Sequence, residues 1–226
     1  MSISAHDTNA LVISYIYATS LLITGELLYR FLRWPRWITR KFVHIFAGLW
    51  VWFCIMAFES KLIGLIPFIT FIPMNLFLVY VSIFRSIGSK DRNFGTVYFA
   101  ISIASLLYFF QDRQHLAMVG IMDMTLGDAV ACLVGTSVKA WRAKKYEKKE
   151  TKGKTLVGSL ACAVACFWAS MFTLWAMHYP GGAWSYLLLS VVSMLVGTIV
   201  EACSPPGMDN LFMPILVTTS LWLLGF

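Results

Sequence analysis

A chain of 226 residues that is 59% hydrophobic and only 13% charged, with a mean hydropathy of +0.73, is too apolar for one soluble domain. Charged residues alone would make up about 25% of such a domain. The net charge of +7 rests on 18 basic and 11 acidic residues, so an acid inside an apolar run needs a physical reason to be there.

In chain order, eight stretches approach the ~20 residues that span a bilayer, at about 10–29, 42–58, 62–84, 96–110, 116–138, 155–177, 183–202 and 211–226. The second, fourth and last are short. The N-terminal "MSISAHDTNA" has no basic region, and the apolar stretch after it has no small-residue cleavage pattern, so the first helix is expected to be retained. No ten-residue alternating segments appear, which argues against a β-barrel. The expected fold is all-α: a polytopic transmembrane bundle of about eight helices (seven to nine).

Lysine and arginine set the orientation. Arg30, Arg33, Arg36, Arg40 and Lys41 lie between the first two helices, and Arg85, Lys90 and Arg92 between the third and fourth. Lys139, Arg142, Lys144, Lys145, Lys148, Lys149, Lys152 and Lys154 lie between the fifth and sixth. Eight crossings put these sixteen of the eighteen basic residues on one side and leave Lys61 and Arg113 on the other. The positive-inside rule makes that side cytoplasmic and both termini external. The partners implied are the bilayer and its anionic lipid, with no nucleic acid.

Polar residues gather on the same expected face. His44 starts the second helix; Arg92, Asn93 and Gly95 lead into the fourth; Lys154, Thr155, Gly158 and Ser159 open the sixth. Glu201 closes the seventh helix, and Asp209 and Asn210 open the eighth after Pro205-Pro206-Gly207. Asp128 stands inside the fifth, reachable if Gly127 and Gly135 loosen that helix or narrow its packing. Lys154 sits where backbone N–H groups and the positive helix end already favour a phosphate. "GKT" is not a P-loop, because position 148 is Lys and no strand precedes it. The small-residue spacings Gly127/Ala131/Gly135 and Ala161/Ala165 read as close helix packing, and the five cysteines as small apolar side chains.

Carboxylates, basic groups and an amide beside a bilayer suit phosphoryl transfer. Acidic oxygens hold Mg²⁺, Lys and Arg neutralise a polyphosphate, and a lipid acceptor enters sideways from the membrane. A transporter using Asp128 as a proton or cation site is the competing reading, but the outward half offers little polar beyond His115 and Asp112.

Five segments carry a family resemblance: "RKFVHIFAG" (40–48), "DRNFGTVYFA" (91–100), "GDAVACLVG" (127–135), "KGKTLVGSLA" (152–161) and "VEACSPPGMDNLFMP" (200–214). Together they resemble, in order, the signatures of the polyprenol, phytol and dolichol kinases, relatives of CTP-dependent diacylglycerol kinases and phosphatidate cytidylyltransferases. The resemblance covers about residues 36–216. It implies a single integral membrane kinase domain over 1–226, with the first helix outside the signature region.

The implied reaction moves the γ-phosphate of a nucleoside triphosphate, usually CTP, to an isoprenoid alcohol with Mg²⁺ at the cytoplasmic face. The alternatives it leaves are a CTP-dependent diacylglycerol kinase and a CDP-lipid-forming cytidylyltransferase. Position by position, Arg92 and Gly95 match an R-x-x-G-T element, Asp128 the G-D-x-x-A element, and Lys154, Gly158 and Ser159 a K-[ST]-x-x-G-S element. Glu201, Asp209, Asn210 and Pro214 match the last element.

The resemblance thus implies Asp128 and Asp209 for metal, and Arg92, Gly95, Lys154, Gly158, Ser159 and Asn210 for nucleotide. The catalytic candidates are Asp128 and Lys154, with His44 or Glu201 assisting the acceptor hydroxyl. Two departures leave the metal count open: Val157 stands where the family often has Glu, and Met208-Asp209 where it often has paired acids.

Overall fold

The computed structural model describes residues 3–81, 94–146 and 153–226. Regular structure in these residues is entirely helical. The helices are α1 (Ala5–Arg30), α2 (Arg36–Ala57), α3 (Ile66–Val81), α4 (Gly95–Phe109), α5 (Gln114–Met122), α6 (Ala129–Tyr146), α7 (Leu156–Ala176), α8 (Ala183–Cys203) and α9 (Asp209–Leu223). A π-helical segment, Asp123–Asp128, joins α5 to α6, so these three run on as one rod. Among the described residues this makes eight rods, six of them long and apolar enough to cross a membrane.

Several boundaries differ from the sequence expectation, each for a local reason. Helix α1 starts at Ala5 because the Ser4 hydroxyl accepts the Asp7 N–H at 3.1 Å and caps the first turn. Helix α2 starts at Arg36, directly after Pro35 fixes the entering backbone, so "RWITRK" is helix and not loop. Helix α6 runs through "KAWRAKKY" to Tyr146, since Ala, Lys and Arg are strong helix formers even where the hydropathy has fallen. Helices α4 and α9 stay short, as expected.

The chain forms two compact units, residues 1–112 with 206–211, and residues 113–205 with 212–226. In the first, α1 packs on α2 and α3 on α4. The Tyr17 and Trp50 rings stack with centroids 3.8 Å apart, and a Cβ on Gly25 would come within 2.8 Å of Val43, so α1 and α2 approach closely there. At the start of α1, Glu59 N–H donates to Asp7 at 2.8 Å and the Ser4 hydroxyl to Glu59 at 2.9 Å, tying this end to the segment after α2.

In the second unit the α5–α6 rod and α8 both pack against α7. Leu116, Val119, Leu174, Leu189, Val217 and Leu221 form a buried apolar cluster. The opposite side of α7 carries Leu156, Leu160, Val164, Trp168, Phe172 and Trp175, all exposed. The side turned inward holds Cys162, Cys166, Ser170 and Thr173. Large apolar residues outside and small or polar ones inside is the arrangement lipid favours, because polar groups there must find partners within the protein. The chain is a multi-pass membrane protein.

Candidate functional site

Asp128 closes the π-segment and is 5% exposed. A π-helix runs its backbone hydrogen bonds from residue i to i+5 and widens the rod locally, a feature frequent at functional positions. Gly127 belongs to this segment. It lies inside the widened turn, and a Cβ there would stand 2.5 Å from Cys166 Sγ and 2.9 Å from Met213 Cε.

Ala131 and Gly135 follow Asp128 on the same helical face. They approach α7 closely: a Cβ on Gly158 would stand 2.8 Å from the Ala131 carbonyl, and one on Gly135 2.9 Å from Thr155 Oγ1. The small-residue spacing of this rod is thus helix packing, and it places the Asp128 face against the start of α7.

That start has a capped first turn with a lysine beside it, the backbone features that can receive an anion. Gly153 has φ +91°, a backbone conformation glycine adopts without penalty, and it turns the chain into Lys154 and Thr155. Thr155 caps α7, its hydroxyl accepting Gly158 N–H at 3.1 Å, while Ser159 N–H bonds the Thr155 carbonyl at 2.9 Å. The positive end of a 21-residue helix therefore lies beside the Lys154 ammonium.

Lys154 Nζ is 3.0 Å from Glu201 Oε1 and also donates to the Glu201 backbone carbonyl. Ser159 Oγ donates to Glu201 Oε2 at 3.4 Å. Three predicted residues from two distant segments, Lys154, Ser159 and Glu201, meet in one cluster, with Gly158 at its base. Glu201 is 5% exposed and holds the lysine in place, a charge-positioning role that the sequence reading did not assign to it.

The first unit holds four more of the predicted residues. Asp209 is the first residue of α9, 7% exposed, and its Oδ1 accepts Asn210 N–H at 3.0 Å. The chain reaches it through Gly207, at φ +91°. Asn210 Nδ2 donates to the Gly95 carbonyl at 3.0 Å, which links the start of α9 to the first turn of α4. Among the described residues the buried Asn210 Oδ1 has no hydrogen-bond partner. A carboxylate and an amide oxygen at adjacent positions are hard oxygen groups of the kind Mg²⁺ takes.

His44 lies two turns into α2 and not at its start, because the helix already begins at Arg36, and its ring meets that of Phe99 edge-to-face with centroids 5.0 Å apart. Arg92 lies outside the described residues. Asp128 and Asp209, the two expected metal ligands, belong to different units.

Three buried acids lie outside the expected set, Asp7, Glu26 and Asp123, and only the last is fully buried. Asp123, at the start of the π-segment, is 0% exposed, and its carboxyl meets the hydroxyls of Ser170 on α7 and Ser193 on α8. The signal available was the five-residue spacing to Asp128 in "DMTLGD", which puts two acids on one rod inside an apolar stretch. The serines stand 47 and 70 residues away in sequence and give no local cue.

No protein-family model and no solved structure matches the chain. Among curated proteins it is similar to a phytol kinase from Synechocystis sp., 29% identical over 215 residues, which cover 91% of this chain and 87% of that protein. A probable phytol kinase 2, chloroplastic, from Oryza sativa subsp. japonica is 27% identical over 93% of this chain and 74% of its own length. A farnesol kinase, chloroplastic, from Arabidopsis thaliana is 25% identical over 73% of this chain and 57% of its own length.

Proposed function

From the membership in the polyprenol and phytol kinase family that these relatives support, we propose that the chain is a lipid-alcohol kinase. It transfers the γ-phosphate of a nucleoside triphosphate, CTP in the first instance, to the hydroxyl of a membrane isoprenoid alcohol such as phytol or a polyprenol, at the cytoplasmic face. The observation that carries this reading is the Lys154–Glu201–Ser159 cluster at the capped start of α7. It joins a positive helix end, a cation and a hydroxyl at the edge of an apolar bundle, which is what a polyphosphate needs next to a lipid substrate.

The roles follow from the chemistry of each group. Lys154 exchanges its Glu201 partner for phosphate oxygens, and Ser159 with the first-turn amides of α7 orients them. Glu201, once released, is an acceptor for the alcohol proton, and His44 is the alternative. Gly158 lets α6 and α7 approach closely beside this cluster. In the first unit, Asn210 fixes the turn at Gly95 through its Nδ2.

On their sequence matches, Asp128 and Asp209, each within its own unit, are proposed as oxygen ligands that would hold Mg²⁺. The ion supplies neutralisation of charge on the β- and γ-phosphates. Arg92 is assigned to phosphate charge on its sequence match alone.

The test is incubation of the purified protein in vesicles with γ-labelled CTP, UTP or ATP and a panel of phytol, farnesol, a long polyprenol and diacylglycerol, with and without Mg²⁺. An organic-soluble labelled monophosphate formed from an isoprenoid alcohol is the expected product. Labelled phosphatidate from diacylglycerol alone would move the activity to diacylglycerol. Pyrophosphate release with a CDP-lipid would make it a cytidylyltransferase.

A further inference from the structure

Asp123, Ser170 and Ser193 all lie in the second unit, and all three are 0% exposed. Ser170 Oγ is 2.9 Å from Asp123 Oδ1, Ser193 Oγ is in hydrogen-bond contact with Oδ2, and the two serine oxygens are in contact with each other. Among the described residues no Lys, Arg or His lies within ion-pair distance of this carboxyl. The contacts close a ring through three side chains on three elements, the π-segment, α7 and α8.

Such a ring has a definite proton requirement. Each of its three oxygen–oxygen contacts needs one hydrogen between the partners. The two hydroxyls supply two, and an ionised carboxylate supplies none. The third hydrogen has to be on the carboxyl.

We propose that this cluster is a proton-binding site, with Asp123 held as a neutral carboxylic acid. In either sense around the ring, the acid hydroxyl donates to one serine, that serine to the other, and the second serine back to the remaining carboxyl oxygen. Every donor and acceptor lone pair facing the ring is then used. The energetics agree, since an ionised carboxylate with only two hydroxyl partners in an apolar bundle is far costlier than a neutral acid with its hydrogen bonds made. A metal ion fits this set poorly, because one carboxyl and two hydroxyls offer fewer oxygens than the roughly six to eight that a hard cation takes.

The site acts as a clamp. It fixes the π-segment to α7 and α8, while Asp128 stands one π-turn further along the rod and Glu201 two helical turns beyond Ser193. A neutral Asp123 adds no like charge to the interior near Asp128. The proposal does not depend on the kinase reading.

The test is infrared spectroscopy of the full-length protein in vesicles at neutral pH, in H₂O and in D₂O. The parent should show the carbonyl stretch of a protonated carboxyl, moved down in D₂O. It should be absent in Asp123→Asn and still present in Asp128→Asn. Ser193→Ala keeps the acid but opens the ring, so the band should remain and shift in frequency.

Asp123→Asn, whose amide offers a donor and an acceptor to the same serines, should melt close to the parent, and Asp123→Leu well below it. Absence of the band from the parent, its persistence in Asp123→Asn, or no response to Ser193→Ala would overturn the proposal. Stabilisation of the parent by Na⁺ or Li⁺ that Asp123→Asn abolishes would do the same, by replacing the proton with a metal ion.

Discussion

The Lys154 ammonium and the Glu201 carboxylate stand 3.0 Å apart, the glutamate side chain only 7% exposed and the lysine side chain 27% exposed, so the pair joins a buried acid to a cation that solvent reaches. Lys154→Ala is expected to raise the nucleotide KM about ten- to a hundredfold, the ~1.5–3 kcal/mol of a lost charge-assisted contact, and to leave the KM for the alcohol nearly unchanged. Steady-state kinetics with each substrate varied in turn reads this directly. Lys148→Ala, in the same basic segment of sequence, should do little, and equal effects from the two would mean a diffuse basic field and no specific role for Lys154. The lysine was legible because it stands where a charged run meets an apolar one beside a capping threonine. Its pairing was not, since Glu201 is 47 residues away. Asp123 was less legible still, because what distinguishes it is a ring of distant serines and not a neighbouring motif.

Glycine governs how the helices of the second unit meet. At Gly127 an added Cβ would stand 2.5 Å from Cys166 Sγ, closer than real contacts allow, with Met213 Cε at 2.9 Å. Gly127→Ala should therefore destabilise the protein by about 1–3 kcal/mol, the usual cost of overpacking. Cys166→Ala removes the nearer obstacle, so the double variant should recover part of that loss, and thermal unfolding of the four proteins in detergent measures the coupling. Strictly additive effects would mean that the π-segment and α7 do not touch as described. The number of rods was legible from apolar length alone. The ends of α2 and α6 were not, because Arg and Lys lower hydropathy without breaking a helix, and neither was the π-segment, because one turn of five-residue spacing leaves no trace in an apolar pattern.

For the whole molecule, the positive-inside count expects the Lys-rich segment before α7 on the cytoplasmic side and the link between α7 and α8 on the other. On a cysteine-free background, a cysteine at Lys148 should react with an impermeant reagent only from the cytoplasmic side, and one at Gly181 only from the opposite side. Reaction of both from one side would remove the cytoplasmic placement of Lys154 and Glu201. The most direct measurement is phosphoryl transfer by the parent and by Asp128→Asn, with γ-labelled CTP, Mg²⁺ and phytol, each preparation also checked for its melting temperature. The substitution keeps the side-chain volume and removes the charge, so the account predicts labelled phytyl monophosphate from the parent. From a variant that melts like the parent it predicts almost none, a loss of about 3 kcal/mol or more of transition-state stabilisation. A folded Asp128→Asn protein with undiminished transfer, or a parent that labels no lipid alcohol with any nucleoside triphosphate, would contradict it.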